Sequence, residues 1–211
     1  MPTACPSPNC GPRRGGLTPT LVALHYTAMN SAQAALERLC DASAEVSAHY
    51  LITGRGEVMQ LVDEAARAWH AGVSAWEGHD DINSRSIGIE LDNRGTHPFA
   101  EPQMAALEEL LLGIMSRWQI APEGVIGHSD IAPDRKFDPG PRFDWRRLER
   151  QGLAAAPSPR AYGAGDAKAF VRAAREAGFS ADVDFGTLLS ATRLRHAPWR
   201  TGPLCTDDFT L

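Results

Sequence analysis

Three residues stand where their neighbours do not favour them. His25 closes the apolar run LVALH, His128 closes GVIGH, and Glu90 interrupts SIGIEL. An ionised carboxylate inside a mostly buried strand is costly unless a metal, a cation or several donors offset it. Two histidines at strand ends, about a hundred residues apart, are what a sheet can bring together at one edge. After His128 the Pro/Gly-rich loop GHSDIAPDRKFDPG (127–140) sets Asp130, Asp134 and Asp138 beside Arg135 and Lys136. Catalytic zinc sites use three protein ligands, commonly histidines with one carboxylate, and keep one position open. By residue type, any of the three aspartates could complete such a set. The same residues also allow plainer roles: a loop neutralised by its own cations, and a Glu90 ion-paired with Arg85 or Arg94. His49, His70, His79, His97 and His196 show no ligand spacing.

The elements that must position these residues can be read from periodicity. LVALHYTA (21–28) is apolar and β-branched, as expected of a buried strand. A helix is expected from Ser31 to Cys40, capped by Ser31 or Asn30. AHYLITGRGEVMQLV (48–62) reads as a hairpin around Gly54-Arg55-Gly56. SIGIEL (86–91) and GVIGH (124–128) are short strands, and alternation places Glu90 opposite Ile87, Ile89 and Leu91. From Pro102 to Trp118, Met104, Leu107, Leu110, Leu111, Ile114 and Met115 follow the 3.6-residue period of a helix, with Pro102 suited to its first turn. The whole is α/β, a mixed central sheet flanked by helices.

Composition narrows the function classes. The chain has 211 residues, 43% hydrophobic and 22% charged, ordinary for a globular protein. Lys and Arg number 21 against 26 Asp and Glu, a net charge of −5 that leaves no basic face for nucleic acid. No apolar run approaches a membrane span. MPTACPSPNCGPRRGG at the N-terminus lacks the apolar core of a secretory signal, which makes the cytoplasm the default compartment. Cys5, Cys10, Cys40 and Cys205 are too scattered for a disulfide scaffold and read as reduced thiols. Cys5 and Cys10 lack the second close pair a metal site would need.

The segments LHYTA (24–28), VSAHYLI (46–52), WHAG (69–72), SIGIELDN (86–93) and GHSDIAPDRKFDPG (127–140) together resemble the type 2 N-acetylmuramoyl-L-alanine amidases. These are AmpD-like and AmiD-like zinc enzymes, related to phage amidase lysozymes and peptidoglycan recognition proteins. The resemblance covers most of residues 7–150, in the family's order. It implies a zinc ion at one sheet edge, held by His25, His128 and Asp138, with Glu90 as the catalytic carboxylate and Lys136 stabilising the oxyanion. Phage-type relatives carry a Tyr directly before the hairpin histidine, where this chain has Ala48, so Glu90 is the acid/base candidate. Trp69 and His70 fall in the family's substrate-cleft motif, with packing beside the hairpin as their other reading. The implied reaction is hydrolysis of the amide joining (1,6-anhydro-)N-acetylmuramic acid to L-Ala, in muropeptides or the sacculus.

AAAPSPRAYGAG (154–165) has no apolar period and reads as a linker. It divides a catalytic domain (1–153) from a small helical extension (167–211), with 154–166 between. The extension faintly resembles the peptidoglycan-binding module of AmiD-like enzymes. It is too short for a core of its own and suits packing against the body. AmiD-like relatives act in the periplasm, so that compartment is the alternative if an export signal precedes this chain. A rival from another class is a non-catalytic peptidoglycan-recognition module. Zinc content separates the two.

Overall fold

Apolar runs become strands where both faces of a sheet are to be covered, and amphipathic runs become the helices that cover them. The computed structural model describes residues 2–159 and 166–211. In chain order its elements are β1 (Thr3–Ala4), β2 (Cys10–Pro12), β3 (Leu21–Tyr26), α1 (Ala32–Cys40), β4 (Tyr50–Ile52), β5 (Val58–Gln60), β6 (Ala66–Ala68) and α2 (Ile82–Arg85). There follow β7 (Ser86–Leu91), α3 (Glu101–Trp118), β8 (Val125–Gly127), α4 (His128–Ile131), α5 (Trp145–Arg150), α6 (Ala167–Glu176) and α7 (Phe185–His196). Six strands form one mixed sheet in the order β1-β5-β4-β7-β3-β8, and β2 pairs with β6 apart from it. The expected hairpin is β4–β5, antiparallel. Strand β3 runs parallel to both β7 and β8.

Alternation decides which face of the sheet is dry. Val22, Leu24, Ile87, Ile89 and Leu91 point to one side, where Leu107, Leu111 and Ile114 of α3 and Trp145 and Leu148 of α5 close the main core. Helix α3 carries Pro102 in its first turn and ends at Gln119, whose φ of 54° stops it. The other face carries Gly88, Glu90 and His25, and the register sets His25 beside Glu90 on neighbouring parallel strands. Helix α1 flanks that face; the Ser31 hydroxyl caps it, accepting the Ala34 N–H at 3.2 Å.

The extension shares a core with the body. Phe170, Ala173, Phe179 and Leu188 pack in one cluster with Trp76, Ile82, Ile126 and Ile131. Residues 154–159 pass from body to extension: Ala154 is buried in the main core, the Ala155 N–H donates to the Pro122 carbonyl, and Pro159 bridges Thr210 of the extension. Of the rest of the linker reading, 160–165 lies outside the described residues, and Asp166 caps α6, its side chain accepting the Lys168 N–H. All four cysteines are free, Cys10 and Cys205 exposed. Among the described residues no helix is long and apolar enough to cross a membrane.

Candidate metal centre and active site

Strand β3 delivers His25 at its end, and β8 delivers His128, which is the first residue of α4 rather than the last of the strand. The loop after α4 returns Asp138 to both. His25 Nδ1 stands 3.0 Å from His128 Nδ1 and 2.9 Å from Asp138 Oδ2, and His128 Nδ1 is 3.0 Å from the same oxygen. The far nitrogen of each ring is engaged elsewhere. His128 Nε2 donates to the Ala71 carbonyl at 3.2 Å. His25 Nε2 lies 3.0 Å from His70 Nδ1, His70 Nε2 lies 3.3 Å from the Ser86 hydroxyl, and that hydroxyl donates to the Ile82 carbonyl at 2.6 Å. One set of tautomers satisfies the whole chain: each Nε2 carries a proton, so the Nδ1 lone pairs of His25 and His128 face the centre.

Two lone pairs and a carboxylate oxygen within 3.0 Å of one another leave no donor among them. They need a cation. Three donors bound to one zinc at about 2.0–2.1 Å would stand roughly 3.3 Å apart, close to what is seen, and this group is the one such cluster among the described residues. Burial, then the nearness of the His128 ring, holds the His25 imidazole down at about 4, which keeps it in the neutral form that binds metal. Of the other loop aspartates, Asp134 is exposed and Asp130 turns inward to accept the Gly127 N–H at 2.7 Å.

Glu90 lies at the base of the same cleft, about 390 Å³ in volume, with Lys136, Trp69, Arg38 and Phe137 along its walls. Its Oε2 is buried without a hydrogen-bond partner. Burial and the nearby Asp138 push its carboxyl up to about 8, while Lys136 pulls the other way. Neither arginine from the plainer reading pairs with it; Arg85 donates to the Asp80 carbonyl and Arg94 is exposed.

Residues 15–141 match the Amidase_2 family, described as N-acetylmuramoyl-L-alanine amidase. The chain belongs to this amidase family. The amidase AmiD of Escherichia coli K12 is 43% identical over 153 residues, 65% of this chain and 54% of that protein. The 1,6-anhydro-N-acetylmuramyl-L-alanine amidase AmpD of Enterobacter cloacae is 46% identical over 103 residues, 49% of this chain and 55% of its own length. The chain thus spans about half the length of the curated relatives it matches. A solved E. coli AmiD, in complex with the substrate anhydro-N-acetylmuramic acid-L-Ala-D-γ-Glu-L-Lys, superposes with TM-score 0.81 at 32% identity, covering 95% of this chain and 87% of that one. AmpDh3 of Pseudomonas aeruginosa gives TM-score 0.79 at 29% identity, over 93% and 91%. Coverage of 95% leaves too few residues aside to omit the helical extension, whereas a solved AmpD covers 73% of this chain.

Further residues hold this site through contacts that give no sign in the sequence. Asn83 Oδ1 accepts the backbone N–H of His70 and of Ala71, at 2.9 and 2.8 Å, fixing the turn that carries both. Arg135 donates to the carbonyls of Ala71, at 2.6 Å, and Val73, so the Ala71 oxygen orients His128 and Arg135 together. His70 lies flat against β7, where a Cβ on Gly88 would meet its ring at 2.5 Å. Its ring nitrogens serve His25 and Ser86, and it borders the cleft; Trp69 anchors its N–H on the Ser47 hydroxyl at 2.9 Å and lines the cleft wall.

Proposed function

We propose that this chain is a zinc-dependent N-acetylmuramoyl-L-alanine amidase, cleaving the amide between the lactyl group of N-acetylmuramic acid and L-Ala. Supporting this is one observation above the rest: the His25, His128 and Asp138 donors converge beside a buried, unpartnered Glu90 oxygen. Zinc held by these three side chains supplies the positive charge that makes water a nucleophile near neutral pH. Glu90 Oε2 takes the proton of the attacking water and delivers it to the leaving amine of L-Ala. Without a metal, burial holds this carboxyl protonated, at about 8; the positive charge of zinc would favour the carboxylate that accepts the proton, and burial favours the acid that hands it on. The Lys136 ammonium faces the same cleft and stabilises the negative charge that develops on the carbonyl oxygen. Arg38 offers a cation for stem-peptide carboxylates, and Trp69 and Phe137 offer apolar walls for the sugar.

The anhydro sugar and stem peptide bound by AmiD, and the anhydromuramic pentapeptide bound by AmpDh3, point to 1,6-anhydro-muropeptides as the substrate class. Soluble fragments of that kind would place the work in the cytoplasm. The test is mass-spectrometric detection of free peptide from purified anhydro-muropeptide and from intact sacculi, each with and without a chelator. Chelator-sensitive release of a peptide beginning with L-Ala is expected, faster from the anhydro-muropeptide. Zinc bound with no release from either substrate overturns the enzyme in favour of a recognition module.

A further inference from the structure

Arg195 leaves helix α7 of the extension and enters the body, where it is 7% exposed. One Nη donates to Asp130 Oδ2 at 2.6 Å and the other to the Val125 carbonyl at 3.1 Å. Its guanidinium carbon sits 4.0 Å from the centroid of the Trp145 ring. Asp130 is fully buried, and the oxygen that receives Arg195 also accepts the Gly127 N–H. The contacts therefore fall on Val125, Gly127 and Asp130, on both sides of His128. The step from β8 to α4 is closed in from the remaining directions. A Cβ on Gly127 would meet Pro139 at 2.8 Å and Trp145 at 3.3 Å, and the Ser129 N–H donates to the Asp138 carbonyl at 2.9 Å.

A buried ion pair is poor evidence of stabilisation, because an apolar pair of equal volume often does as well. What it does supply is direction: a bidentate guanidinium fixes the groups it bonds in both distance and angle. Here those groups are the carbonyl three residues before His128 and the carboxylate two residues after it. We infer that Arg195 is a positioning residue for the metal centre: through Asp130, the extension holds His128 Nδ1 toward His25 and Asp138. The inference rests on the metal-site reading given under Proposed function.

Loss of Arg195 alone strands the Asp130 charge and risks unfolding, so the informative protein is the double variant Arg195→Met, Asp130→Asn, which removes both charges and keeps volume. Zinc affinity is measured by chelator competition, alongside the visible spectrum of cobalt-loaded protein and the metal-free thermal midpoint. The double variant should fold and bind zinc about 10–100-fold more weakly, the usual penalty for losing support behind a ligand, with an altered cobalt spectrum. Arg193→Met breaks an ion pair inside the extension, with Asp208 at 2.6 Å, and should leave zinc affinity unchanged. If the double variant does not fold, Arg195→Lys decides, since it keeps the charge and loses the two-armed geometry; weaker zinc binding is again expected. Zinc affinity equal to wild type in the folded double variant, or in Arg195→Lys where that variant decides, overturns the inference, as does an equal loss in Arg193→Met. A wild-type chain that binds no zinc overturns the metal-site reading itself, a different result.

Discussion

Glu90 owes its chemistry to what surrounds it: a strand that buries it, a neighbour that shares its charge, and an oxygen left without a partner. Glu90→Gln keeps shape and removes the proton acceptor. Peptide release should fall by about 10²–10⁴-fold, while zinc content, read by elemental analysis, stays at the wild-type level. Loss of zinc in that variant would instead make Glu90 a ligand. His70 works through another residue. Its Nδ1 is the acceptor that holds the Nε2 proton of His25, and removing it frees that ring to rotate. For His70→Ala we expect zinc binding weaker by about 10–100-fold, with turnover recovering in excess zinc. Unchanged zinc affinity combined with a raised KM would return His70 to the substrate cleft.

Strand β7 is the element where packing and chemistry meet, because its outer face must admit a histidine ring at Gly88 and present a carboxylate at Glu90. The His70 ring cannot retreat from Gly88 without releasing His25 or Ser86. Gly88→Ala should therefore lower thermal stability by about 1–3 kcal/mol, as overpacking does, and weaken zinc binding together with it. Gly54→Ala, whose nearest neighbour is a side-chain oxygen at 4.0 Å, is the control, with a smaller effect on both. Strands β3, β4, β5, β7 and β8 and helix α3 were legible in the sequence because each is an apolar run or obeys one simple period; β1, β2 and β6, two or three residues each, are too short to show either. The unusual placement of His25, His128 and Glu90 was legible for the complementary reason, that each breaks the pattern around it. Choosing Asp138 over Asp130 and Asp134 needed the family resemblance, since all three share one loop and one residue type. The contacts of Asn83 and Arg135 were not legible at all. Arg135 acts on backbone more than sixty residues away, and Asn83 acts through a bend that no local pattern announces. Nothing in the sequence singled out Arg195, whose partners Asp130 and Val125 lie 65 and 70 residues away.

Across the whole molecule, buried titratable groups give the metal-free protein a stability that rises and then falls with pH. Burial, the leading cause in each case, holds His25 and His49 at about 4 and His196 at about 3, and lowers His70 as well. An unfolded histidine takes a proton near 6.5. These four stay neutral in the fold, so their contribution is complete above about 6.5 and is lost as pH falls toward about 4. Glu90 has the opposite sign. Its carboxyl, about 8 in the fold against an unperturbed 4.5, keeps a proton that the unfolded chain has released. That contribution is complete below about 4.5 and is lost as pH rises to about 8. Four histidines outweigh one glutamate on the acid side, and above 6.5 their term is flat while that of Glu90 still declines. Asp130 and Glu149, also raised by burial, tilt the curve the same way as Glu90, and comparison with Glu90→Gln isolates its share. The thermal midpoint of chelator-treated protein should pass through a maximum near pH 6.5 and decline toward pH 8, and Glu90→Gln should flatten the alkaline side alone. An alkaline slope identical in the two proteins would remove Glu90 as its source. Saturating zinc adds stability in proportion to the logarithm of its concentration over Kd. Because His25 stays neutral in the fold until pH falls toward about 4, protons compete for its nitrogen only there, and the gain from zinc should persist to about pH 4 and shrink below it.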